Sequence, residues 1–241
     1  DCPKLRAYPA TYTGRNVAGN FQKKKELFSG LEKLTIITPS KWLKEQIRKS
    51  FLKDTKVLNI PNGIDLELFK PTENTIKEKF CPNGEKLLLG VTSIWTKNKG
   101  LYDFIKLAET IGDEFVICLV GLNKKQIKKL PKNIVGIEKT ESISQLAEYY
   151  TAADLFLNLT YEDTFPTTNI EAIACGTPVL TYRTGGSPEI INEACGFVVE
   201  KGDIEGIKNY VRTQLQDKAF YENECLKRAA EFRKEDCYQR Y

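Results

Sequence analysis

The chain has 241 residues, enough for one large domain or two small ones. Its 36 Lys and Arg against 32 Asp and Glu give a net charge of +4, too weak for a nucleic-acid footprint, and no basic block is interleaved with aromatics. It has no His, which excludes Ser-His-Asp and Cys-His nucleophile systems, and its seven Cys form no C-x-x-C pair that would suggest zinc.

The mild basicity suits an anionic small ligand or a weakly anionic membrane surface. The apolar run Leu87-Leu88-Leu89 stops at Gly90, so no stretch is long enough to span a bilayer. Asp1 to Pro9 carries no apolar segment of the secretory type. The chain has no Met and opens on Asp1-Cys2-Pro3, which reads as a cut inside a longer protein. Cys118 and Cys175 sit among apolar residues and read as small core residues in a reducing, cytoplasmic setting.

Residues 1 to about 33 are polar and irregular, with one short helix expected around Lys23 to Phe28. The β-branched Thr35-Ile36-Ile37-Thr38 reads as a buried strand. Ser40 can cap the next helix, whose apolar face is Trp42, Leu43, Ile47 and Phe51. Lys41, Lys44, Arg48 and Lys49 make its other faces basic. Lys56 to Ile60 is a strand closed by the turn Pro61-Asn62-Gly63. Strands then follow at Lys86 to Val91, Phe115 to Val120, Ile134 to Ile137, Leu155 to Leu159, Val179 to Tyr182 and Phe197 to Val199. Between them lie helical faces at Leu101 to Ala108, at Ile143 to Tyr150, up to Ala174 and near Pro188 to Ile191, with further helices at the C-terminus. Near-continuous apolar strands alternating with helices predict an α/β fold, a parallel sheet with helices on both faces. Ligands of such folds bind beyond the carboxyl ends of the strands.

Three strand-ends carry unusual residues. Ser93 to Gly100 holds Lys97 and Lys99, and a lysine there can meet a phosphate as a point charge. Taken alone this loop also reads as a solvated turn. Tyr161 to Glu171 joins a strand to a short helix, whose free N–H groups form an anion site. Thr168 and Glu171 fit a capping box, with Thr168 at the N-cap and Glu171 three residues on, a role that needs no ligand. That role does not account for Asp163, or for Pro166 and the two adjacent threonines, Thr167 and Thr168, at the same opening. Arg183 to Glu189 carries Gly185-Gly186, which permits close backbone approach and is equally common in plain turns. The helix that follows the second loop should end at Gly176, with Pro178 just beyond.

The string from Glu162 through Asp163, Glu171 and Ala174-Cys175-Gly176-Thr177-Pro178-Val179 resembles the retaining, GT-B-fold nucleotide-sugar glycosyltransferases of lipopolysaccharide and capsule synthesis. That family has two acidic residues separated by seven, and here Asp163 and Glu171 hold that spacing, with Asp in place of the first Glu. Thr38 to Leu43, Ile60 to Asp65, Lys99-Gly100 and Gly185 to Glu189 are also similar to family segments. The resemblance implies a Rossmann-like donor domain over 65–220, the end of an N-terminal acceptor domain over 1–64, and C-terminal crossover helices over 221–241. It implies that Glu171 binds donor ribose and Asp163 the donor sugar. Lys99 would neutralise the diphosphate, amides near Thr167 and Thr168 would hold a phosphate, and Lys97, Phe165, Gly185 and Gly186 would line the site.

The implied activity is hexosyl transfer with retention, from a uridine- or guanosine-linked sugar to a glycan or lipid-linked acceptor. No cofactor, metal or nucleic acid is expected, and weak contact with an anionic membrane face is. Because the acceptor half is expected to be incomplete, the chain is expected to bind donor without transferring it. Relatives place an Arg where Ser93-Ile94-Trp95 stands, so either Lys97 substitutes for it or the charge of this loop is reduced. The rival readings are a non-catalytic nucleotide-binding module and a dinucleotide oxidoreductase. The second is disfavoured because no strand leads into G-x-G-x-x-G.

Overall fold

The computed structural model describes residues 16–241. The reading of Asp1-Cys2-Pro3 and of the polar stretch up to residue 15 lies outside the described residues. Helix α1 (Val17–Ser29) is longer than the expected turn around Lys23 and leaves Phe21, Leu27 and Phe28 exposed. Strand β1 (Thr35–Thr38), helix α2 (Lys41–Arg48) and strand β2 (Lys56–Asn59) form a small unit in which β1 and β2 pair in parallel. The Ser40 side chain accepts from the Leu43 N–H, so the expected cap is present. Helix α2 ends before Phe51, which instead packs edge-on against Phe21 at 5.4 Å.

The remaining strands are β3 (Lys86–Val91), β4 (Phe115–Val120), β5 (Ile134–Ile137), β6 (Leu155–Asn158), β7 (Val179–Tyr182) and β8 (Gly196–Val199). All pair in parallel, in the order β5-β4-β3-β6-β7-β8. Two successive crossovers run outward from β3 in one direction. The chain then returns to lay β6 on the other side of β3 and runs outward again. The switch point between β3 and β6 is where such sheets bind ligands. Leu87, Leu88, Leu89, Leu155, Phe156 and Leu180 are fully buried, as continuous apolar strands covered on both faces require.

The covering helices are α3 (Ile76–Phe80), α4 (Leu101–Thr110), α6 (Ile143–Ala152), α7 (Thr167–Ala174), α8 (Ile204–Thr213) and α9 (Lys218–Ala230), with a short α5 (Lys124–Ile127) after β4. Helix α4 packs with α8, while α6, α7 and α9 pack together. The expected helix near Pro188 is a single 3-10 turn, Ser187–Glu189, too short to cover a strand. Helix α9 runs across the expected boundary at 220, and the last helix, α10 (Lys234–Tyr238), returns to the segment after β2. There the Lys234 N–H donates to Ile64 O at 3.0 Å, and the Lys234 ammonium bridges Asp65. All six cysteines among the described residues are free and buried, Cys118 and Cys175 completely.

Candidate active site

A cleft of about 630 Å³ opens beyond the carboxyl ends of β5, β4, β3 and β6, at the switch point. Its floor is Thr92, Gly121 and Asn158, each one step past or at the end of its strand. Gly121 has φ +100, and a side chain there would collide with the Thr92 carbonyl oxygen. Trp95 closes the floor: its indole donates to Val120 O at 2.9 Å, and its ring meets Phe104 edge-on at 5.3 Å.

The first two loops are joined backbone to backbone. Tyr161 N donates to Asn98 O at 2.8 Å. Gly100, at φ +77, starts α4 hard against the Leu159 carbonyl, where no Cβ fits. Asp103 in the first turn of α4 accepts from Tyr161 Oη at 2.7 Å and Tyr182 Oη at 2.8 Å. Burial, and then the Asp103 carboxylate, push the Tyr161 phenol up to about 12, so it stays a donor. This packing sets Lys99 Nζ 3.0 Å from Asp163 Oδ2, while Asp163 Oδ1 accepts from Phe165 N at 3.2 Å. One cation and one carboxylate therefore share the cleft wall.

Helix α7 starts on the same wall. Its N-cap is Pro166, with no side-chain cap, so Thr167 and Thr168 occupy the first two helical positions. This corrects the capping-box expectation: Glu171 lies a full turn inside the helix, and Pro166 at the N-cap has no N–H to donate to it. Instead Glu171 Oε2 accepts from Tyr150 Oη of α6 at 2.8 Å. Burial raises the Glu171 carboxyl above its ordinary value, against hydrogen bonds from Tyr150 and Thr167 that lower it. A carboxylate largely withdrawn from solvent and held from behind by a tyrosine lines the cleft. The first N–H groups of α7 have no intrahelical acceptor by helix geometry, so that helix end suits an anion.

Of the residues singled out from sequence, Lys99, Asp163, Phe165, Thr167, Thr168 and Glu171 line this cleft. Phe165 is buried and also packs against Phe232 at 6.0 Å. Lys97 is exposed on the 3-10 turn and does not line it. Gly185 lines a separate cavity beyond β6 and β7, and Gly186 packs against Ser40. The third loop is thus joined to the second without sharing the cleft. Sequence reasoning missed Tyr150, Asn158 and the stretch Glu138 to Thr140. Glu138 and Thr140 follow a strand end, which was a usable signal; Tyr150 had only helical spacing and read as core.

A capsular polysaccharide biosynthesis glycosyltransferase of Staphylococcus aureus is 26% identical over 204 residues, covering 78% of this chain and 53% of that one. A processive diacylglycerol alpha-glucosyltransferase of Acholeplasma laidlawii is 27% identical over 178 residues, covering 69% and 53%. The chain thus spans about half the length of these curated relatives. The crystal structure of an Anabaena protein in complex with UDP and glucose superposes with a TM-score of 0.74 at 18% identity, covering 93% of this chain and 66% of that one. That likeness shows the shared fold. The family model for glycosyl transferases group 1 matches residues 72–234, more than half of the chain and all of the cleft, and the chain belongs to that family.

Proposed function

We propose that this chain binds a nucleoside diphosphate sugar and serves hexosyl transfer to a glycan or lipid-linked acceptor with retention of configuration. The observation that carries the reading is the meeting of Lys99, Asp163 and Glu171 in one cleft at the switch point. Glu171 accepts hydrogen bonds from the ribose hydroxyls. Asp163 accepts from hydroxyls of the donor sugar, and the N–H groups of Thr167 and Thr168 hold a phosphate. In the transfer, the bond between the anomeric carbon and the diphosphate oxygen breaks. The acceptor hydroxyl oxygen bonds to that carbon, and its proton leaves with the diphosphate. Charge grows on the diphosphate as the bond breaks, and Lys99 stabilises it more in the transition state than in the ground state. Before donor arrives, the pairing with Asp163 holds the ammonium in place.

The Anabaena protein's UDP and glucose supports a uridine donor, and the diacylglycerol substrate of the Acholeplasma relative supports a lipid acceptor. A lipid acceptor also gives the basic face of α2, with Lys41, Arg48 and Lys49 exposed, a weak, salt-sensitive contact with an anionic cytoplasmic leaflet. Calorimetry with UDP, GDP and NAD tests the donor reading. Heat is expected with a nucleoside diphosphate and not with NAD. Folded protein that gives no heat with either diphosphate overturns it.

A further inference from the structure

A second cavity, about 680 Å³, lies beside the cleft along the same edge of the sheet, beyond β6, β7 and β8. Asp163 lines both cavities and forms the partition between them. The walls are fixed. Gly186 N donates to Thr164 O at 3.2 Å, and Thr184 Oγ1 donates to Tyr161 O at 2.8 Å. Gly185, at φ +49, leaves no room for a Cβ against the Asp163 carbonyl. The roof is Trp42 of α2, 41% exposed. It is held there by Glu189, whose carboxylate accepts from Lys41 N at 2.8 Å and Trp42 N at 2.7 Å.

The strand order grades the charge across this cavity. Glu162 and Asp163 follow β6, whereas Arg183 follows β7 and Lys201 follows β8. Hydroxyl acceptors therefore stand on the side shared with the cleft, and cations stand on the far side. Arg183 already pairs with Glu200 at 2.6 Å, but both side chains are well exposed, so a ligand anion can compete for the guanidinium. A half-exposed indole over such a cavity gives an apolar plane for the face of a sugar ring.

The geometry points to a second carbohydrate subsite here, for an anionic saccharide. Its acidic group is held by Arg183 and Lys201, its ring lies under Trp42, and a hydroxyl is turned toward Asp163. This placement rests on the donor reading only in assigning the saccharide to the acceptor side of the transfer.

The chain has two tryptophans, Trp42 in the second cavity and Trp95 in the cleft, so the two indole N–H signals in a nitrogen-15 NMR spectrum report one cavity each. Trp42→Phe assigns them. Methyl β-D-glucuronide is expected to shift the Trp42 signal. Arg183→Gln with Lys201→Gln is expected to weaken that binding about tenfold and leave methyl β-D-glucoside unchanged. UDP is expected to shift the Trp95 signal equally in the native chain and the double variant. A Trp42 signal that ignores the glucuronide, or that titrates identically in the double variant, overturns the subsite. If neither UDP nor GDP moves the Trp95 signal, the donor reading falls, and the Trp42 titration still decides the second cavity.

Discussion

Removing the Tyr150 hydroxyl tests how Glu171 is held. The Tyr150 ring is fully buried, meeting Phe156 at 5.3 Å and Phe69 at 6.2 Å, so Tyr150→Phe keeps the packing and deletes only the 2.8 Å hydrogen bond to Glu171. A hydrogen bond to a charged group contributes about 1.5–3 kcal/mol, and one to a neutral group nearer 1 kcal/mol. The variant is therefore expected to lose more stability at pH 7 than at pH 4. The lost donor is one of two that lower the Glu171 carboxyl against burial, so its ionisation moves further upward. Ribose hydroxyls need the ionised acceptor, so donor affinity should fall on acidification with a midpoint above the ordinary glutamate range. That limb should move to higher pH in Tyr150→Phe and vanish in Glu171→Gln. The assay is calorimetric titration of UDP-glucose, whose diphosphate is esterified at both ends and has no ionisation near neutrality, from pH 4.5 to 8. The sign for folding is separate. The folded chain holds the Glu171 proton more tightly than the unfolded chain, so this group's contribution falls as pH rises through the window. Glu171→Gln is thus expected to gain stability relative to the native chain as pH rises. A Tyr150→Phe profile that superimposes on the native one, or an acid limb kept in Glu171→Gln, refutes the reasoning.

Lys99→Met should weaken UDP binding and leave uridine binding unchanged, and in a full transfer assay should cost about 10²–10³ in turnover; equal losses for UDP and uridine would show a folding defect instead. Gly100→Ala should cost about 1–2 kcal/mol from the left-handed backbone alone, and more because the Leu159 carbonyl blocks the methyl, with loss of UDP affinity as Lys99 is displaced; an unchanged denaturant midpoint speaks against this packing. Burial raises all six described thiols, Cys118 and Cys175 to about 12, so their stabilising contribution is lost as pH rises above the unfolded thiol value. Lys218, lowered to about 8 by burial, acts in the opposite sense. Six thiols outnumber one lysine, so stability should fall between pH 9 and 10; a flat denaturation profile contradicts it. Lys124 and Lys125 are exposed at the start of α5, three and four residues past Gly121 of the cleft floor, so replacing them with Gln should slow UDP association and flatten its salt dependence while leaving dissociation unchanged in stopped-flow traces.

The sequence by itself determined the parallel sheet. Runs such as Leu87-Leu88-Leu89 leave no polar face to turn outward, and only a strand covered on both sides tolerates that. It also singled out strand-ends whose residues meet in one cleft, because Lys99, Asp163 and Glu171 are polar residues set where apolar periodicity breaks. Short-range rules were reliable where the contact is local: Ser40 caps α2, and Gly176 takes the left-handed conformation that ends α7. They failed where a distant partner competed. Thr168 and Glu171 have capping-box spacing, but Pro166 starts the helix earlier, and Tyr150, twenty-one residues away in sequence, takes the carboxylate. Gly185-Gly186 was expected to line the same site because it shares the sheet edge. Its place was decided by strand order, which puts β7 on the far side of β6 from the cleft and sets Asp163 between two cavities. Spacing encodes which side chains share a face of one element. Which elements stand side by side depends on long-range strand pairing, and only the folded chain fixes that.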